Sequence, residues 1–278
     1  MRAAYFFIGA LCFSFCHFSF AEGNPERIIS LGPAITENLY ILGAEDNMIA
    51  NTIYCRTPPG KGKKEKIGTV IKVNLERIIE LKPDLVLATS LTDRKQLEAM
   101  KSLSIRVAEI PVARNFADIC SGFLELAQLI GKENDALRLI KQLKEEVDFL
   151  AGLTKGLPKP RVIVQIGARP LFVATQEYAV NDFIRLAGGI NLAENLTNGL
   201  YSREEALRQN PEVIVITTMG IIGEDERKGW YKYKSVEAVK NNRVYIVDEA
   251  KLCAPTPLSF AGTLREMVDI LHPQLISK

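Results

Sequence analysis

The sequence predicts an α/β protein built as two lobes, each with a largely parallel sheet, joined by one long bridging helix. Three observations carry this prediction. Short apolar strands alternate with helical stretches along most of the chain, which is the pattern of parallel layers. One unbroken helical run near the middle interrupts the alternation. A helix–proline–strand unit then recurs once on either side of that run.

The first segment is read as a leader, not as part of the fold. Arg2 gives a small basic region, Ala3 to Phe18 is almost wholly apolar, and Ser19-Phe20-Ala21 forms a small-x-small cleavage site before Glu22. That is the pattern of a signal peptide over 1–21, cleaved after Ala21, and the run is short for a spanning helix. A lipoprotein anchor at Cys16 is the weaker reading, because Phe15 stands where such a signal needs a small residue. The mature chain is expected in the periplasm.

The first lobe is predicted over 22–131. Arg27–Leu31 is a short apolar strand, and Gly32-Pro33 turns it into a helix around Ile35–Leu42, closed by Gly43. Met48–Tyr54 reads as a strand, followed by a polar loop with Pro58, Pro59 and Gly60. Asn74 starts a helix that Pro83 stops, and Asp84–Thr89 is a buried strand. A helix over Arg94–Leu103, a strand over Arg106–Pro111 and a helix over Phe116–Ile130 complete the lobe.

The bridge is predicted over 132–156. Ala136, Leu139, Ile140, Leu143, Val147 and Leu150 recur at helical spacing with no breaker among them. At 1.5 Å per residue such a helix is roughly 30 Å long, about the width of a small domain. It reads either as a surface helix of one domain or as a strut between two lobes, and the fresh α/β alternation after Pro160 favours the strut. The second lobe, 157–278, holds strands at Arg161–Ile166, Phe172–Thr175, Glu212–Thr217 and Arg243–Val247. Its helices are expected at Asn181–Ala187, Ser202–Gln209 and Ser259–Leu271.

Composition narrows the function classes. The 35 lysines and arginines nearly balance 33 aspartates and glutamates, which argues against a nucleic-acid partner. Cys55, Cys120 and Cys253 follow the leader, so at most one disulfide forms and the pairing is open. His272 is the one histidine after the leader, which excludes a His-rich metal site. No GxSxG elbow occurs, and Gly60-Lys61-Gly62-Lys63-Lys64 lacks the phosphate-loop spacing, so an enzyme is not expected.

The repeat points to a partner. Asn74-Leu-Glu76 leads through a helix to Pro83 and a buried strand, and Ser202-Arg-Glu204 leads in the same register to Pro211 and its strand. Asn74 and Ser202 suit N-caps, and each proline ends its helix. Glu76 and Glu204 either simply complement their helix N-termini, or also form a matched acidic pair for a two-fold symmetric membrane partner.

The residues that carry these readings also resemble a known family. Arg27-Ile-Ile-Ser-Leu-Gly-Pro-Ala-Ile-Thr-Glu37, Tyr54-Cys-Arg-Thr-Pro-Pro59, Asn74-Leu-Glu-Arg-Ile, Leu81-Lys-Pro-Asp-Leu-Val86 and Ser202-Arg-Glu resemble the periplasmic binding proteins for iron complexes and vitamin B12. The match runs in order from about residue 26 to the C-terminus. The resemblance implies the substrate-binding component of an ABC importer, with a shallow cleft, little hinge closure, no enzyme activity and no resident cofactor. It implies that Glu76 and Glu204 meet arginines of a permease dimer. It implies a metal chelate as ligand, whether ferric siderophore, haem or cobalamin. Where the family's B12 binders place tryptophans, this chain aligns Val70, Thr89 and Asn198, and its one tryptophan, Trp230, lies elsewhere.

Tyr54 and Phe172 are the candidate flat faces for such a ligand, one in each lobe, and Tyr54 is also a candidate haem-iron ligand. The alternative is that each packs within its own lobe. Arg56 and Arg169 are candidate anion contacts on loops at the supposed cleft. Tyr201, Trp230, Tyr231 and Tyr233 read as core or surface more than lid. A monomer is expected. The alternatives are a ligand-sensing carrier with no transporter, or a binder of a simple oxyanion.

Overall fold

The computed structural model describes residues 23–217 and 223–275. The leader predicted over 1–21 lies outside the described residues. The first sheet is built from β1 (Ile28–Ser30), β2 (Met48–Asn51), β3 (Glu65–Lys66), β4 (Leu85–Thr89) and β5 (Val107–Ile110). All neighbours are parallel, in the order β3-β2-β1-β4-β5. Helices α1 (Pro33–Ile41), α2 (Leu75–Leu81), α3 (Arg94–Ser102) and α4 (Phe116–Leu129) connect and cover these strands. Strand β2 is shorter than the sequence predicts. Asn51 ends it, and the chain turns where the Cys55 N–H donates to the Thr52 carbonyl at 3.1 Å.

Helix α5 (Glu133–Leu153) coincides with the periodic run. Beyond it, β6 (Arg161–Gly167) is central to a second sheet with β7 (Phe172–Val173), β8 (Ile190–Asn191), β9 (Val213–Ile216) and β10 (Val244–Ile246). The order is β10-β9-β6-β7, with β8 also on β6, and only β7 runs antiparallel. Helices α6 (Val180–Leu186), α7 (Arg203–Gln209), α8 (Gly223–Trp230), α9 (Glu237–Lys240), α10 (Glu249–Cys253) and α11 (Pro257–Leu271) complete this lobe.

The period-2 alternation of the strands sorts the core into three parts. Leu85 and Leu87 of β4, with Val162 and Val164 of β6, enter one central cluster. Val86 and Ala88 face the outer cluster of the first lobe, and Ile214 and Ile216 that of the second. The central cluster is continuous across both lobes through α4, α5, α6 and α11. Of the six apolar residues read along the bridge, five are buried in it and Leu139 packs against it partly buried. The bridge is therefore no free strut, because α4 of one lobe and α11 of the other both pack on it.

The repeat has a shared structural cause. Asn74 and Ser202 accept the N3 amides of α2 and α7, from Arg77 and Glu205, each at 3.0 Å. Both helices end in a left-handed C-cap, Lys82 at φ 45° and Asn210 at φ 48°, just before proline. The acid after each proline takes a strand-opening amide: Asp84 that of Arg27 at 2.9 Å, Glu212 that of Arg161 at 3.0 Å. The same two arginines donate to carbonyls at the helix ends, at Leu81 and Lys82 and at Gln209. Each lobe thus locks its helix to its sheet by one recipe.

Candidate functional site: the inter-lobe cleft

In open parallel sheets, ligands bind outside the carboxyl ends of the strands. In the first lobe those ends carry Ile53, Tyr54, Leu91 and Val112 on the loops after β2, β4 and β5, with Ile71 on the loop after β3. All five are exposed, Tyr54 at 60% and Ile71 at 63%. The second lobe presents Phe172, Tyr178, Leu200 and Ile246 at the corresponding ends of its strands or on adjoining loops. Single exposed apolar residues are ordinary, but a set at the strand ends of both sheets makes a candidate binding surface.

Contacts across the gap fix how these ends face each other. The Arg56 guanidinium, from the loop after β2, donates to both Asp248 oxygens at 3.0 and 2.9 Å and to Glu249 Oε1 at 2.9 Å, just after β10. Burial raises the Asp248 carboxyl, but hydrogen bonds from Arg56 and the Ala250 amide, with the Arg56 charge, more than offset it and hold it low. Deeper, the Thr256 hydroxyl at the N-cap of α11 donates to Glu37 Oε1 of α1 at 3.1 Å. Burial pushes the Glu37 carboxyl above its usual range; the Thr256 bond and the Arg56 charge offset this only in part. The Phe116 amide, at the start of α4, donates to Asp182 Oδ2 of α6 at 2.9 Å. Each lobe thus lends a carboxylate to a helix N-terminus of the other. Beside them Phe260 of α11 stacks between Phe116 and Phe183, at centroid distances of 4.7 and 4.1 Å.

The loop carrying Tyr54 and Arg56 is held from behind. Lys66 Nζ donates to Asn51 Oδ1 at 2.7 Å, to the Thr52 carbonyl at 3.0 Å and to the Cys55 carbonyl at 2.7 Å. Phe172 sits half-buried on the opposite wall, edge-on to Tyr178 at 6.4 Å. Gly199 makes room for it, since a Cβ there would stand 2.3 Å from the Phe172 ring. Arg169 is exposed on the turn between β6 and β7 with no ion pair among the described residues. Tyr54 and Arg56 therefore belong to the first lobe, and Phe172 and Arg169 to the second.

Glu76 and Glu204 are exposed in the first turns of α2 and α7. Among the described residues neither has an ion pair, whereas nearby Arg77 holds Glu65 and Glu80, and Glu205 holds Arg208. Trp230 is fully buried in the outer core of the second lobe, and Tyr201, Tyr231 and Tyr233 pack on that core. Sequence reasoning did not find Glu37, Lys66, Asp248, Glu249 or Thr256. The capping pattern of Asp248 and Thr256 was the only available signal.

Among the described residues Cys55, Cys120 and Cys253 are free thiols; Cys55 and Cys120 are buried and Cys253 half-buried. Among the described residues no helix is long and apolar enough to cross a membrane.

The comparisons agree with this geometry. Residues 28–250 match the family described as periplasmic binding protein. An uncharacterised ABC transporter substrate-binding lipoprotein from Bacillus subtilis is 29% identical over 260 residues, covering 90% of this chain and 81% of the relative. A vitamin B12-binding protein from Pectobacterium carotovorum is 31% identical over 201 residues, covering 70% and 72%. Among solved structures, a periplasmic haem-binding protein from Roseiflexus superposes with a TM-score of 0.80 at 22% identity, covering 89% of this chain and 98% of that one. The B12-binding protein of Vibrio cholerae gives 0.77 at 22% identity, covering 91% and 98%. The chain belongs to the periplasmic binding proteins, a family that binds solutes and does not transform them.

Proposed function

We propose that this chain is the extracytoplasmic substrate-binding component of an ABC importer, and that its inter-lobe cleft takes a metal chelate. The observation that carries this is the set of exposed apolar side chains at the carboxyl ends of both sheets, beside the Arg56 contact that ties one lobe to Asp248 and Glu249 of the other. Relatives described as binding vitamin B12 and structural neighbours described as binding haem support cobalamin or haem as the cargo, and a neighbour described as a possible iron-binding protein keeps a ferric siderophore in the set. In this reading the chain is exported, loses residues 1–21, and works as a monomer with lobes over 22–131 and 157–278 around the bridge at 132–156. Tyr54 and Phe172 cover the two faces of the chelate, Arg169 meets a polar substituent, and Arg56 borders the site while tied to the far lobe. Glu76 and Glu204, exposed and unpaired among the described residues, dock on a permease dimer.

Tyr54→Ala and Phe172→Ala test the site. Each is expected to weaken binding of the cognate chelate about tenfold, the order of one lost aromatic contact, with the melting temperature unchanged for exposed Tyr54 and lowered for half-buried Phe172. Wild-type affinity in both variants would remove these two rings from the site.

A further inference from the structure

The two docking carboxylates sit on helices of one pattern but different anchorage. The residue before Glu76 is Leu75, partly buried against the outer apolar core of the first lobe. The residue before Glu204 is Arg203, whose guanidinium turns inward and pairs with Glu226 of α8. Arg203 also lies over the Trp230 ring, 4.0 Å from its centroid. The Trp230 indole N–H donates to Gln165 Oε1 at 2.7 Å, and Gln165 Nε2 donates to Glu226 Oε2 at 2.8 Å and to the Gly167 carbonyl at 3.1 Å. Gln165 and Trp230 are fully buried and Glu226 nearly so. The Val173 amide donates to the Gly199 carbonyl at 2.8 Å and the Tyr201 amide to the Leu171 carbonyl at 3.0 Å, directly ahead of the Ser202 N-cap.

A first-turn side chain locked inward sets the rotation of its helix, and with it the direction of the next residue. We infer that Glu226, with Gln165 and Trp230, is a positioning set that aims Glu204 at the permease, taking the place that apolar packing of Leu75 fills for Glu76. This rests on the docking reading above. An unpaired buried charge is costly, whereas replacing both partners of a buried pair by apolar groups is often neutral. Losing the Glu226 charge alone should therefore free Arg203 and misdirect Glu204, and an apolar pair should restore the aim.

The test uses the mature chain and right-side-out inner-membrane vesicles from the source bacterium, with binding of a fluorescently labelled protein as the readout. Glu204→Ala is the control: if it binds the vesicles as wild type does, the docking reading itself is wrong. With that control weakened, Glu226→Gln is expected to bind about fivefold more weakly, a loss of about 1 kcal/mol. Its Trp230 emission should shift, while chelate affinity stays the same. Arg203→Leu with Glu226→Leu is expected to return to within about twofold of wild type, although the ion pair is gone. The inference is overturned if Glu226→Gln binds normally while Glu204→Ala does not. It is equally overturned if the double variant stays as weak as Glu226→Gln, which would make the charges themselves the docking contact.

Discussion

Replacing Phe260 by alanine tests whether the two lobes are one mechanical body. Phe260 is fully buried and lies between Phe116, at the start of the first lobe's last helix, and Phe183 of the second lobe. Truncating a buried phenylalanine typically costs about 3–5 kcal/mol, from lost transfer free energy and the cavity left behind. Two stacked contacts, each worth about 0.5–1.5 kcal/mol beyond area, place this site in the upper part of that range. Against a total of about 5–15 kcal/mol, this is a large share of the stability. Urea denaturation can be followed by Trp230 fluorescence, which reports the second lobe alone, and by far-ultraviolet circular dichroism, which reports both. The continuous central core predicts that the two curves coincide in the wild-type protein and move together to a much lower midpoint in the variant. A loss below about 1 kcal/mol, or wild-type curves that separate, would refute the shared core.

Two further outcomes follow from burial of titratable groups. Burial holds the Glu37 carboxyl above its usual range. A carboxyl raised in the folded state contributes stability that is present below its unfolded pKa and lost as pH rises through the folded value. Glu37→Gln keeps an acceptor for Thr256, so it should raise the melting temperature at about pH 7 and lose that advantage near about pH 4; a lower melting temperature at neutral pH would contradict this. The Cys120 thiol is pushed up to about 11 by burial, and the charge of Lys144 offsets little of this. Native protein at neutral pH should therefore leave Cys120 unreacted with a thiol-specific disulfide reagent, while all three thiols of the mature chain react in denaturant. Rapid native labelling of Cys120 would overturn that expectation.

The elements with strong periodic signals were legible in the sequence, and those defined by distant partners were not. The bridge could be read because its apolar stripe has no competing pattern, and α2 and α7 because caps and prolines bound them. Helix α8 was missed because Gly223-Glu-Asp-Glu-Arg-Lys-Gly-Trp230 has a single large apolar residue and no stripe. Strand β3 has two exposed residues, Glu65 and Lys66, and exists because it pairs with β2. Tyr54 and Phe172 could be placed at strand ends from pattern alone. The partner of Arg56 could not, since Asp248 lies 192 positions away and the contact depends on how the lobes meet. The reason for Arg203 was hidden likewise, because its acid and its aromatic ring come from a helix with no sequence signal.

If the gap between the lobes takes a metal chelate, the purified protein must bind one. Isothermal titration of residues 22–278 with cyanocobalamin, haemin and a ferric hydroxamate siderophore, each separately, tests it most directly. Saturable one-to-one binding of one of these is expected, weakened by Tyr54→Ala and by Phe172→Ala. No heat with any of the three, from protein shown to be folded, would contradict the chelate reading while leaving the two-lobe architecture in place.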